Sequence, residues 1–388
     1  MDKIIKNIVN EEEYFNFFLS NLKNVSYFNK GTFGLTFILE LKDDIESPYQ
    51  YTDGTQIKKV LLKLVGICTL ENRIIKKIMT TYKDKQNQNY NSQTLTANAV
   101  EKECRMQKKV YDCGKEKNIQ LCPKMFYCDI KSIENATQLL DTLIKSTGYV
   151  KPQAGFFNKL KSIVKRPNPP PLAYNILDGL KQNISLIDEL SFSLMEYADG
   201  YNTLSYSSTQ NKEDYARVAL LKLALYCGVS HSDPNKGNIL INNNNHILLI
   251  DFGSTIDEHD KDVITEEEKT QIINNLKEHK YYDALKLCNK FYTPPTHIPF
   301  SDPIEPEIAW VHKGIMSKPN QIIDSFVTNE LIKKAGGKTN RRQKTNRRRL
   351  RKTQNKKGVK KRVDSLPKTL HRSTLQPSGI SPATEKSQ

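Results

Sequence analysis

The chain has 388 residues, 37% of them hydrophobic and 26% charged, enough for a two-lobed domain or two ordinary ones and too apolar for disorder throughout. The longest apolar candidate, Val218–Val229, is far short of the roughly 18 residues a membrane span needs and contains Lys222, so no membrane span is expected. Net charge is +16, but 16 Lys and Arg fall between Lys333 and Arg362 with no Asp or Glu among them; the rest is balanced, which excludes a folded body that reads nucleic acid through its own basicity.

The chain opens MDKIIKNIVNEEEYF, without an apolar run or a small-residue cleavage site, so no secretory signal is expected. Residues 1–19 are read as an N-terminal segment. Strands are expected over 14–66, clearest at Phe33–Leu41 (FGLTFILEL) and Val60–Ile67 (VLLKLVGI), apolar runs bounded by polar residues. Residues 70–96 are polar and read as an inserted loop. Residues 97–112 place Val100, Cys104, Met106 and Val110 at helical spacing. Lys124–Ile130 and Ser191–Tyr197 are short strand candidates.

A second insertion, 131–188, separates them. Its segment GFFNKLKSIVKRPNPPP reads as a short helix with a basic face, ended by prolines, either packed on its own domain or lying on a membrane surface. Residues 213–229 form the clearest helix, 231–256 a strand–turn–strand, and 264–292 carry Ile, Leu and Tyr at helical spacing. Residues 293–305 are Pro-rich, and beyond residue 333 the chain is basic, then rich in Ser, Pro and Thr, where disorder is expected. The 7 cysteines include no CxxC pair, and several sit in apolar runs, so neither a disulfide framework nor a structural zinc site is expected, and a reducing compartment is.

Chemistry concentrates in His231-Ser-Asp233-Pro-Asn-Lys-Gly-Asn238, followed by two apolar strands around a polar turn and then Asp251-Phe252-Gly253. A hairpin of this kind brings the loop before its first strand beside the loop after its second. It clusters Asp233, Asn238 and Asp251, oxygen donors that suit Mg²⁺ and one carboxylate to accept a proton.

The pattern H-x-D-x-x-x-x-N followed by D-F-G resembles the protein-kinase-like superfamily. Upstream, Asn29-Lys-Gly31-Thr-Phe33-Gly34-Leu-Thr36 resembles its Gly-rich strand–turn–strand, with Asn29 and Thr36 as departures. Lys63 matches the strand lysine that holds phosphates. Glu103 matches its acidic partner, with Glu101 as the alternative, and Met195-Glu196-Tyr197-Ala198 resembles the hinge that takes adenine through backbone groups. The resemblance, over residues 20–290, implies an α+β, bilobal fold: a β-rich N-lobe (20–197, with the two insertions), a reduced helical C-lobe (198–330) and a disordered basic tail (331–388). It implies ATP and Mg²⁺, with catalytic roles for Asp233, Asn238, Asp251 and Lys63. Asn238 and Asp251 would hold the metal, and Gly31, Phe33, Gly34, Lys63, Glu103, Glu196, Tyr197 and Ala198 the nucleotide. His231 would brace the loop.

The loop departs from the usual protein-kinase form. Ser232 stands where an Arg is usual and Asn235 where a Lys is, with Lys236 one position on. HSDPNKGN is also similar to the loops of aminoglycoside phosphotransferases, choline kinases and UbiB-type kinases. No A-P-E follows Gly253. Three functions therefore stay open: a Ser/Thr protein kinase, a small-molecule phosphotransferase acting on a hydroxyl, and a weakly active nucleotide-binding scaffold. Residues 333–362 would bind nucleic acid or another polyanion, act as a nuclear localisation signal, or serve only as a solubilising tail. The Gly-Gly-Lys-Thr/Arg-rich tail and Asn/Lys/Ile-rich inserts resemble those of large DNA viruses. An intracellular place is expected, cytoplasmic or nuclear, or in host cell or virion.

Overall fold

A computed structural model describes residues 5–6, 10–30, 34–51, 53–68, 77–83, 89–151, 170–205, 208–231, 233–252, 263–288, 309–311 and 320–332. Gly31, Phe33, Ser232, Gly253, the segment 152–169 and the basic residues 333–362 lie outside them. The chain divides into two units, Met1–Val327 and Thr328–Gln388; of the second only residues 328–332 are described, within a π-wound turn, Val327–Ile332.

The strands are β1 (Ile5–Lys6), β2 (Leu22–Lys30), β3 (Leu35–Leu41), β4 (Gln50–Tyr51), β5 (Lys59–Ile67), β6 (Lys77–Lys83), β7 (Asn89–Gln93), β8 (Met125–Ser132), β9 (Glu189–Glu196), β10 (Tyr201–Thr203), β11 (Ile239–Asn242) and β12 (Ile247–Leu249). The helices are α1 (Glu11–Ser20), α2 (Ala97–Glu116), α3 (Ile133–Ser146), α4 (Leu172–Gln182), α5 (Gln210–Lys222), α6 (Glu266–Lys277), α7 (Tyr281–Cys288) and α8 (Gln321–Phe326).

The N-terminal half is built on an antiparallel five-stranded sheet in the order β2-β3-β5-β9-β8. Residues of β9 alternate between its faces. Ser193 and Met195 meet α2, whereas Phe192 meets Phe15 of α1 at a ring separation of 6.3 Å. Helix α2 follows from its sequence. Thr96 caps it, accepting from Ala99 N–H at 3.3 Å, and Val100, Glu103, Cys104, Gln107, Val110, Tyr111 and Gly114 fall on one buried stripe. Gln107 Nε2 donates to Pro123 O at 3.0 Å, fixing the helix to the loop that leads into β8.

Several expectations are corrected. Residues 11–20 are helical, not strand: Asn10 accepts from Glu13 N–H, three glutamates occupy the first turn, and Tyr14, Phe15, Phe18 and Leu19 are buried at helical spacing. Tyr14 packs with Tyr49 and Phe126 at 4.2 and 4.9 Å between rings, so residues 11–19 are no separate segment; α1 belongs to the core of the N-terminal half. Part of the inserted loop 70–96 is a hairpin, β6 with β7, joined to the end of β5 by an Ile67–Leu95 bridge. The second insertion supplies α3 and α4, which pack together, against β2 and, for α3, against β8 and β9.

Four of the cysteines are paired, against expectation: Cys104–Cys128 and Cys113–Cys227. Spacing along the chain could not show this, because the partners are 24 and 114 residues apart and meet only through the packing of α2.

The second half is helical around one antiparallel sheet, β10-β11-β12. Helix α5 runs into a π-wound turn, Leu223–Cys227, and stops at Gly228, whose φ of 64° is a left-handed cap. Residues 264–292, expected to be helical, hold α6 and α7. Among the described residues no helix is long and apolar enough to cross a membrane.

Candidate active site

The site forms where β5, α2, the loop before β11 and the residues after β12 meet. Lys63 lies in the centre of β5, paired in register with Thr36 of β3 and Ser193 of β9. Its Nζ donates to Glu103 Oε1 at 2.6 Å and lies 3.9 Å from Asp251 Oδ1. Burial alone would pull the Lys63 ammonium down, but the carboxylates of Glu103 and Asp251 more than reverse it and hold the pKa above its ordinary value. Glu103, not the alternative Glu101, is thus the residue paired with Lys63; Glu101 is exposed on the opposite side of α2.

Asp233 and Asn238 lie together across the loop. Asn238 Nδ2 donates to Asp233 O at 3.1 Å and to Asp233 Oδ2 at 3.0 Å. Asn235 Nδ2 donates to the same Oδ2 at 2.8 Å, while its own Oδ1 accepts from Asn238 N–H at 3.1 Å. Burial raises the Asp233 pKa, the nearby His231 opposes that, and Asp251 adds to it; the Asn235 donors pull it back down. His231 Nε2 lies 3.0 Å from Ile250 O and its ring 5.1 Å from that of Phe252, so it ties the loop to the strand that delivers Asp251. Asp251 itself has a φ of 62°, a left-handed conformation that costs a non-glycine residue about 1–2 kcal/mol.

Two anchors of this loop were not visible in the sequence as such. Lys236 is buried, its Nζ 2.7 Å from Glu213 Oε1 of α5. Trp310, in the turn Ala309–Val311, donates its indole N–H to Pro234 O at 2.9 Å. The fully buried Arg217 joins the two: it donates to Asp214 Oδ1 at 2.5 Å, to Val311 O at 3.1 Å and to Trp310 O. The sequence marked Lys236 only as displaced from the position where protein kinases carry a lysine, and nothing local marked Trp310, 76 residues from its partner.

Gly34 is the described residue of the glycine-rich segment; Gly31 and Phe33 lie outside. Tyr197 and Ala198 follow β9 directly and turn into β10 through Tyr201 N–H to Ala198 O at 3.2 Å. The Glu196 side chain is fully occupied elsewhere. It accepts from Gln120 Nε2 at 2.7 Å, from Lys124 N–H at 3.1 Å and from Tyr51, and burial raises its pKa to about 7. It borders a cavity of about 640 Å³ that Tyr51, Tyr201 and His246 also line and to which Lys63, Asp233 and Asp251 do not contribute. Only the backbone of Glu196 is left for a ligand in the Lys63 cleft.

The donor types suit a hard divalent cation: Asn238 spends its amide nitrogen on Asp233, which leaves its amide oxygen, like the Asp251 carboxylate, as an oxygen donor.

Residues 191–280 match the family model of the ABC1 atypical kinase-like domain, a stretch running from β9 through α6. Among solved structures, a MAP kinase from Leishmania major matches at 11% identity and a TM-score of 0.29, over 71% of this chain and 65% of that one. No curated protein matches the chain. The ABC1-like segment takes in the Asp233 loop, Asn238 and Asp251, so this part of the chain is similar to an atypical kinase-like domain, and the five-stranded sheet that carries Lys63 precedes it.

Proposed function

We propose that the chain is an ATP-dependent phosphotransferase that moves the γ-phosphoryl group to a hydroxyl, with Ser/Thr side chains of proteins as the first acceptor class. The observation that carries this reading is the convergence of Lys63, Glu103 and Asp251 from three separate elements, next to the Asp233–Asn238 pair.

ATP would lie against Glu196–Ala198, with Lys63 on its phosphates and Glu103 holding the Lys63 ammonium in place. Asp233 would orient the acceptor hydroxyl and take its proton as that oxygen bonds the γ-phosphorus, while the bridging bond breaks and its electron pair leaves on the β-phosphate. Asn238 and Asp251 would hold Mg²⁺, which supplies neutralisation of phosphate charge when bound. Apart from the proton that Asp233 takes, these side chains would contribute positioning and charge compensation.

A second reading, transfer to a small soluble hydroxyl, is favoured by the loop itself. Asn235 stands at the usual lysine position, and Lys236 is held by Glu213 and not presented to a phosphate. Labelled ATP with Mg²⁺ decides between them. Label on a generic protein acceptor, lost in Asp233→Ala, supports the protein kinase; label only on small hydroxyl compounds supports the second reading. No transfer to either, with ATP bound, removes both and leaves a nucleotide-binding scaffold.

A further inference from the structure

Both cystines belong to α2, the helix that carries Glu103. Cys104, the residue after Glu103, bonds Cys128 of β8, and both sulfurs lie 3.5 Å from Ser193 Oγ of β9. This ties α2 to its own sheet. Cys113, about two and a half turns further along, bonds Cys227 at the end of the π-wound turn, four residues before His231. This second bond crosses from the helix that holds Lys63 to the segment that enters the Asp233 loop.

Each pair reaches the surface region to some degree: Cys104 is buried and its partner Cys128 half-buried, whereas Cys113 and Cys227 are both half-buried. The other thiols, Cys68, Cys122 and Cys288, are all buried. Burial pushes the Cys122 and Cys288 thiols well up, so they stay protonated and poor nucleophiles.

We propose that Cys113–Cys227 is a reversible staple, closed and opened by thiol–disulfide exchange, that sets the position of α2 and with it Glu103 against Lys63. Its consequence for turnover rests on the phosphotransfer reading above. Closing it is a two-electron oxidation. One cysteine thiolate attacks a low-molecular-weight disulfide such as oxidised glutathione and releases one thiol. The second thiolate then attacks the mixed disulfide, forms the Cys113–Cys227 bond and releases the other thiol. Two electrons and two protons pass to the reagent. Glutathione in excess runs the same steps backwards.

The staple acts on a geometry that phosphotransfer needs, because a lysine–glutamate pair between strand and helix must be in place for the phosphates to be held. Opened, the staple leaves the C-terminal half of α2 without its covalent link to the π-wound turn.

The test takes the full chain equilibrated at set ratios of reduced to oxidised glutathione, with the cystines mapped by alkylation and mass spectrometry. Amide hydrogen exchange of residues 105–113 is read in each state. Expected are a linked Cys113–Cys227 peptide at oxidising ratios, exchange at least tenfold faster when it opens, and full recovery on reoxidation. Cys113→Ser and Cys227→Ser should each stay in the fast-exchanging state at every ratio, whereas Cys288→Ser should respond as the native chain does. In parallel, phosphate transfer should fall at least tenfold on opening and recover with the bond.

Failure to find the linked peptide at any ratio overturns the proposal, as does a linked peptide whose opening leaves α2 exchange unchanged. If transfer proceeds equally in both states, the staple does not govern the site and the phosphotransfer reading stands. If exchange responds but Asp233→Ala and the native chain alike transfer nothing, the staple stands and the phosphotransfer reading falls.

Discussion

At residue 34 the backbone runs at a φ of 110°, a region closed to side chains, and a Cβ there would lie 2.8 Å from Leu64 O and 2.9 Å from Val65 Cγ2. The glycine lets the backbone entering β3 lie directly on the strand that carries Lys63. Gly34→Ala is expected to cost about 2–3 kcal/mol and to raise the KM for ATP tenfold or more, measured by thermal unfolding and initial rates. Residue 235 bears on a proton. As the proposed base, Asp233 would accept one only when ionised, and its raised pKa would move the acidic limb of kcat/KM to higher pH. Asn235 opposes the rise with its donors. Asn235→Ala should therefore move that limb further up and leave the alkaline limb in place. A pH–rate profile that stays put would remove Asn235 from this role.

The Asp233 loop shows how elements hold a candidate site together. It is not gripped by its neighbours in sequence but by α5, through Glu213 and Lys236, and by the turn Ala309–Val311, through Trp310. Arg217→Ala would leave the buried Asp214 without its guanidinium partner and the half-buried Glu213 with Lys236 as its remaining ion pair. A loss of about 3–5 kcal/mol is expected, read in denaturant unfolding. Trp310→Phe keeps the ring and deletes one N–H, so folding should survive while kcat falls several-fold and the KM for ATP barely moves. Equal loss in both constants would mean the indole supports the nucleotide and not the loop. These contacts also explain what could be read from the chain. Strands β3, β5, β9, β11 and β12 and helix α2 are announced by periodicity and by turn residues, and the H-x-D and D-F-G motifs by their spacing. Helix α1 is not, because its aromatic run looks as much like a strand as a helix until the cap at Asn10 is weighed. Neither are Trp310 or the cystines, whose partners are chosen only once the chain has folded.

At the scale of the molecule, Glu196 and Lys124 make folding itself respond to pH. Both are buried where the hinge strand, the loop before β8 and Tyr51 come together, and they are shifted in opposite directions. Burial holds the Glu196 carboxyl up at about 7, against an ordinary value of 4.5. Between those values the folded chain keeps a proton that the unfolded chain has lost, so stability is greatest below 4.5 and declines as pH rises to about 7. Burial pulls Lys124, whose ammonium lies 4.8 Å from the centre of the Tyr49 ring, down to about 8 from 10.5. From about 8 to 10.5 the unfolded chain binds the extra proton, and stability climbs again. The contribution of the two groups is thus lowest between about 7 and 8, by roughly 3 kcal/mol for each. Glu196→Gln keeps the acceptor for Gln120 and Lys124 and removes the charge, so it should flatten the acidic decline and raise Tm near pH 7.5 by several degrees. Lys124→Met should flatten only the alkaline rise. A native profile that instead peaks near neutrality would mean that the two charges are solvated or paired well enough to escape the cost of their burial.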